Sequence, residues 1–256
     1  MAGAYAPSQD ELSAAEHYEH IADRYDAVTV GGHRRRARMN VTIELVGPGP
    51  GVLLDIGVGS GQLIPPLLEG GWTVHGVDPA PTMLEHARKR APEAAARLLH
   101  GRAEELPYED ASFDVVVALA VLEYTDMERS VPEVARVLRP GGRAVLCLRN
   151  GRAPSALWRR QVIHPLARAV KARGQVGRTR PLRRRPALSP ARGRAMLGDA
   201  GLAVRHIELA ACELLPDPLD AWAPGLAARI ANAAEQSRAL RTVFGSQRVY
   251  VAEKLT

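Results

Sequence analysis

Short apolar runs and turn-rich stretches alternate through the middle of this 256-residue chain. Residues 52–56 (VLLDI) are an apolar run interrupted only by Asp55 and ended by glycine, too short for a helix and suited to a strand buried on both faces. A helical pattern from Gly61 to Glu69 follows, then a second strand from Thr73 to Asp78 and a helix near Pro81 to Arg90. A short third strand falls near Arg97 to Gly101, a fourth from Phe113 to Leu119, a helix near Met127 to Val137, and a fifth strand from Gly142 to Arg149. Alternation of this length predicts a parallel sheet with helices on both faces. Upstream, Leu12, Ala15, Tyr18 and Ala22 recur at helical spacing over residues 10–26; Gly31-Gly32 breaks the pattern, and Arg34 to Val46 reads as a second helix stopped by Gly47-Pro48-Gly49-Pro50. Downstream, Ser189-Pro190 is a plausible start for a helix reaching Ala200. Two strands follow, near Ala203 to Leu214 and Arg248 to Lys254, separated by a Pro-rich loop and an Ala-rich helix from Pro224 to Leu240. The whole reads as one domain over 1–256: a helical cap at 1–46, a core at 51–150, an insertion at 151–188, and a C-terminal helix with edge strands at 189–256.

The turn after the first strand carries the chemistry. Gly57, Gly59 and Gly61 form G-x-G-x-G, and Gln62 breaks the G-x-G-x-x-G spacing that cradles a dinucleotide pyrophosphate. Asp55 stands two residues ahead of the first glycine, where a carboxylate repels phosphate and attracts a cation. Asp78 closes the second strand, where a carboxylate can accept both ribose hydroxyls. A nucleoside with positive charge and no phosphate meets these demands, and S-adenosylmethionine is one.

Four stretches then match a known family in order: Leu53 to Gly61, Val74 to Leu84, Gly101 to Asp114 and Val134 to Leu148. On these the chain resembles a class I S-adenosylmethionine-dependent methyltransferase of the small-molecule type. The resemblance implies an α/β fold, a doubly wound Rossmann-like seven-stranded sheet with an antiparallel last strand, the final two strands forming a hairpin-like pair at the sheet edge. It implies that Gly57, Gly59 and Gly61 lie under the methionine part and that Asp78, followed by Pro79, holds the ribose. Thr82 and Met83 would flank the adenine, Ala103 and Glu104 would meet its edge, and Ala118 and Leu119 would offer backbone to the ammonium. Tyr18 and Tyr25 would reach over the cofactor. These motifs fix fold and cofactor and leave the acceptor open.

The sulfonium methyl is already activated, so alignment and exclusion of water can carry much of the rate. Where relatives carry a histidine after the fourth strand, this chain has Leu122-Glu123-Tyr124. Tyr124, His33 and His164 are the candidate groups for binding or deprotonating an acceptor, and the nucleophile stays undetermined.

Composition narrows the class. No apolar run approaches the roughly 20 residues that span a bilayer, and the N-terminal residues lack the basic-then-apolar order of a secretory signal. Cys147 and Cys212 fall in predicted strands and read as reduced, so the expectation is a cytoplasmic protein. The eight histidines and two cysteines show no metal-ligand spacing. The net charge of +6 is local: arginines crowd Arg34 to Arg38 and Arg159 to Arg194. The second cluster reads as a solvated basic face, as a lid for an acidic, phosphorylated or lipid-linked substrate, or as an RNA-binding surface. Scarce aromatic residues among these arginines argue against RNA. The expected partner is therefore a small-molecule methyl acceptor such as a natural product, sugar or lipid-linked intermediate. An RNA methyltransferase and a cofactor-binding accessory protein without transfer activity are the alternatives.

Overall fold

Seven strands make the frame: β1 (Gly51–Ile56), β2 (Trp72–Asp78), β3 (Leu98–His100), β4 (Phe113–Leu119), β5 (Leu138–Arg149), β6 (Leu202–Cys212) and β7 (Gly245–Lys254). They form one sheet in the order β3-β2-β1-β4-β5-β7-β6. The structure, a computed structural model, describes residues 13–25, 32–163, 165, 187–214 and 224–256. The first five strands pair in parallel, with Leu53 opposite Val74 on one side and Val115 on the other. Leu53 and Leu54 point to opposite faces and both are fully buried. Helices cover both sides, which is why β1 shows no polar alternation.

The last strand is antiparallel to both neighbours. As expected, the final two strands form an antiparallel pair at one edge of the sheet, with β7 on the inner side against β5 and β6 outermost. The inner place of β7 follows from burial: Val249, Tyr250 and Ala252 are covered, and an interior strand fills its ladder hydrogen bonds on both sides.

The helices are α1 (Ala14–Ile21), α2 (Gly32–Val46), α3 (Ile64–Glu69), α4 (Pro81–Arg90), α5 (Met127–Val137), α6 (Pro154–Trp158), α7 (Pro190–Asp199), α8 (Pro224–Glu235) and α9 (Arg238–Phe244). Helix α7 begins as its Ser-Pro signal predicts, with the Ser189 hydroxyl accepting from the Arg192 N–H. The Ala-rich stretch read as one helix breaks in two, because the Ser237 side chain caps α9. Helix α3 starts three residues later than expected, since Gly61 sits at φ +76° and cannot open a helix.

One apolar cluster, with Val116, Leu146 and Tyr250, lies under α5 and α7; the other, with Leu53, Val74 and Val117, lies under α2, α3 and α4. A third, smaller cluster docks the N-terminal cap: Ala22 packs with Ala80 and Met83, flanked by Tyr18 and Tyr25. Helix α1 is closed by a capping box between Ser13 and Glu16. From α1, the Glu19 carboxylate accepts from the Thr82 backbone N–H (3.1 Å) and hydroxyl at the start of α4. The cap is thereby tied to the end of β2. Of the basic insertion, α6 and the wide turn Arg159–Ile163 are described. His164 and the arginines from Arg168 to Arg185 lie outside the described residues.

Candidate active site

Order reverses between β1 and β4, one sending its next connection to β2 and the other to β5. A crevice must open beyond the carboxyl ends of strands at such a point. Two cavities of about 680 and about 580 Å³ meet there. They share Gly57, Gly59, Leu119, Ala120, Glu123 and Tyr124, and both are roofed by Tyr18 and Tyr25 of the cap. The three tyrosines pack edge to face, Tyr18 standing 5.8 Å from both Tyr25 and Tyr124 between ring centroids.

The turn is built by close approach. Gly57 has φ +69°, and a Cβ there would overlap the Val121 side chain. Its N–H donates to the Val77 carbonyl at 2.7 Å, folding the turn back on β2. Gly59 has φ +53° and only open space where a Cβ would stand, so a ligand can lie against bare backbone. Gly61 has another job: a Cβ there would come 2.9 Å from the Ala87 Cα, so the missing side chain admits α4 rather than a ligand.

Asp78 is 7% exposed and faces the first cavity. Its Oδ2 accepts from the Gly59 N–H at 2.8 Å and its Oδ1 from the Ala80 N–H at 2.9 Å. Each oxygen retains acceptor capacity for a hydroxyl. Burial raises the Asp78 carboxyl above its ordinary range, and these two N–H groups partly oppose the rise. Asp55, in the second cavity, is buried more completely; burial, then the neighbouring Asp78 charge, pushes it up to about 8. Two carboxyls whose ionised forms lack compensation are a receptor for a cation. The first cavity is acidic throughout: Asp78, Glu104, Glu105, Glu123, Asp126 and Glu128 line it against Arg102 and Arg129. A cationic nucleoside without phosphate fits this wall.

The loop that closes the first cavity is fixed from behind. Glu133 accepts from the Leu106 N–H at 2.7 Å, and Arg136 bridges Glu133, Asp110 and the carbonyls of Leu106 and Tyr108. These bonds hold Ala103 and Glu104 against the cavity. One Glu104 oxygen accepts from the Asp126 N–H at 2.9 Å, joining this loop to the start of α5.

The second cavity has the opposite sign. Arg34, Arg35 and Arg38 enter it from α2, with Arg149 from β5 and Arg159 from the insertion. Glu213 is clamped between Arg34 and Arg159, each 3.0 Å away. Burial alone would raise the Glu213 carboxyl, but the two guanidinium groups outweigh it and leave the group below its usual range. Glu123 is 5% exposed, accepts from Arg149 Nε at 3.0 Å, and borders both cavities. Ala120 and Ala211 line this space with positive φ, 59° and 60°. Such strain in non-glycine residues concentrates at functional sites.

Of the residues singled out in the sequence, Tyr18, Tyr25, Gly57, Gly59, Asp78, Pro79, Met83, Ala103, Glu104, Leu119 and Tyr124 border the first cavity, and Asp55 the second. Gly61, Thr82, Ala118 and His33 border neither. Thr82 is turned to Glu19, Ala118 is sealed inside the sheet, and His33 stands in the first turn of α2. His164 is outside the described residues. Sequence reasoning passed over Glu123, Glu213 and the arginines of α2 as cavity residues. Glu123 had a signal, since it replaces the expected histidine stretch. Glu213 had none, because only the antiparallel return of the chain brings it beneath α2.

Residues 54–146 match the family described as a methyltransferase domain. An uncharacterized methyltransferase of Mycobacterium tuberculosis (strain ATCC 25618 / H37Rv) is 47% identical over 91 residues, 36% of this chain and 37% of its own length. The demethylmenaquinone methyltransferase of Thermus thermophilus is 36% identical over 138 residues, 50% of this chain and 62% of its own. The chain thus spans 37% and 62% of the lengths of these relatives. Among solved structures, a SAM-dependent methyltransferase from Thermotoga maritima superimposes with a TM-score of 0.63 at 18% identity, covering 94% of this chain and 99% of that one. A methyltransferase solved with the Haloferax volcanii Trm112 activator gives a TM-score of 0.65 at 20% identity, covering 93% and 98%. At such identities the likeness is one of fold.

Proposed function

We propose that this chain, whose residues 54–146 match a methyltransferase domain, is a class I S-adenosylmethionine-dependent methyltransferase that transfers the cofactor methyl group to a small organic acceptor seated in the second cavity. The observation that carries this reading is the pair of cavities meeting at Gly57 and Gly59, acidic on the nucleoside side and basic on the other. When bound, S-adenosylmethionine supplies a sulfonium methyl that an acceptor nucleophile takes in line, the C–S bond breaking as the new bond forms and the neutral thioether leaving.

The residues supply position and surroundings. Asp78 is placed to accept from the ribose, Met83 and Ala103 to hold the adenine between apolar walls. Asp55 provides the carboxylate opposite the positive charge. Tyr18, Tyr25 and Tyr124 roof the junction and keep water from it. Glu123 is the carboxylate at that junction, and we assign it the proton of an acceptor that must lose one. Arg149 Nε donates to its Oε2 at 3.0 Å and fixes the carboxylate in place. Tyr124 supplies a hydroxyl at the same boundary.

Calorimetry tests the cofactor half: S-adenosylhomocysteine should bind, and Asp78→Ala should weaken it at least tenfold. Equal affinity in both proteins rejects the site. Transfer is then tested by incubating the protein with labelled cofactor and pooled small-molecule extract. Label in an extractable product supports the reading; cofactor binding without any labelled product favours an accessory role.

A further inference from the structure

We infer that the acceptor carries an anion, a carboxylate or a phosphate, and that Arg38 of α2 receives it with help from Arg35. This deepens the proposed methyl transfer and rests on it for the identity of the neighbouring cavity.

The first ground is a charge imbalance. Among the described residues lining the second cavity, five arginines face Asp55, Glu123 and Glu213. Glu123 is matched by Arg149, and Glu213 sits between Arg34 and Arg159. Even with Asp55 ionised, three carboxylates stand against five arginines. The cavity therefore holds a surplus of positive charge. The cofactor cannot cancel it, because its amino-acid part is a zwitterion and its sulfonium adds one more positive charge.

The second ground is Arg38 itself. Arg34 and Arg38 lie one turn apart on the face of α2 that meets the cavity, whereas Arg36 points to solvent. The Arg38 Nε is buried and has no hydrogen-bond partner in the protein. A buried donor on a charged group costs stability unless a partner arrives. Arg38 also lines the cavity, and a guanidinium there can turn its edge to give two parallel bonds to an oxyanion. Arg35 lies beside it, stacked 5.7 Å from the Tyr25 ring centroid, which steers its guanidinium to the roof of the same cavity.

The test uses the full chain saturated with S-adenosylhomocysteine, titrated with benzoate, phenyl phosphate and neutral benzamide. At least one anion should bind ten times or more tighter than benzamide, and the preferred one tells carboxylate from phosphate. Arg38→Gln should remove that preference, while Arg38→Lys retains part of it and S-adenosylhomocysteine affinity stays within about twofold in each. Arg35→Gln serves as a second variant if Arg38→Gln fails to fold by circular dichroism. Equal binding of anions and benzamide overturns the inference. So does a result in which Arg38→Gln weakens S-adenosylhomocysteine but not methylthioadenosine, which lacks the amino-acid part, because Arg38 would then hold the cofactor carboxylate. If S-adenosylhomocysteine does not bind the unaltered chain, the methyl-transfer reading is what has failed. Titrating the free protein still decides whether the cavity prefers anions.

Discussion

Replacing Gly57 by alanine should separate two costs that the turn conceals. The first is backbone strain, because Gly57 has φ +69° and an L residue there loses about 1–2 kcal/mol. The second is overlap: the new Cβ would collide with Val121 Cγ2 and lie 2.9 Å from Cγ1 and 3.1 Å from Cβ. A branched side chain bonded at that Cβ cannot swing clear, and overpacking of this kind costs about 1–3 kcal/mol. Gly57→Ala should therefore destabilise the free protein by about 2–5 kcal/mol, a fall of roughly 4–20 °C in Tm for a domain of this size. Val121→Ala removes the two closest methyls and leaves the strain. In a double-mutant cycle followed by urea unfolding, the pair should show a favourable coupling of about 1–3 kcal/mol, the overlap term alone. Additivity within about 0.5 kcal/mol would refute the steric reasoning and leave the glycine requirement to backbone conformation only.

Asp55 has a raised carboxyl in the folded protein, so below about pH 4 it is protonated folded and unfolded alike. As pH rises toward about 8 the unfolded chain loses this proton first, and the free protein loses stability across that window. Asp55→Asn should abolish this contribution and stabilise the free protein at pH 8, on the order of a few kcal/mol by thermal denaturation; no stabilisation there would contradict a buried, reluctant carboxylate. The same ionisation should make S-adenosylmethionine bind progressively better than S-adenosylhomocysteine from pH 6 to 9, read by calorimetry, and a flat ratio would remove Asp55 from opposition to the sulfonium. Glu133→Ala leaves the Leu106 N–H without its partner and costs about 1–3 kcal/mol; it should also weaken adenosine binding by loosening Ala103, and unaltered nucleoside affinity would show that the loop holds without it. Glu19→Ala unties the cap from α4, and faster proteolysis near residues 13–25 with weaker cofactor binding is the expected outcome.

Most of the frame could be read along the chain because it is local. Phe113–Leu119 and Met127–Val137 coincide with their sequence patterns, since a buried run and an amphipathic helix each announce themselves within a dozen residues. The meeting of Asp55 and Asp78 was legible for the same reason: they lie at the ends of consecutive strands that pair in parallel. Gly61 was read as part of a ligand surface because spacing alone cannot tell a glycine that admits a ligand from one that admits a helix. Only the contact with Ala87 decides it.

The amino-acid sequence by itself determined the parallel core, the glycine turn and the two carboxyls beside it, all of which follow from neighbours close in the chain. Tertiary structure alone decided where β7 inserts, and so what lines the second cavity. Arg38 and Glu213 line one cavity though they stand far apart along the chain, and Glu123 and Arg149 come from separate strand ends. No periodicity encodes such meetings, because they depend on how the closing strands return beneath α2. The second cavity, with its five arginines, is a property of that return.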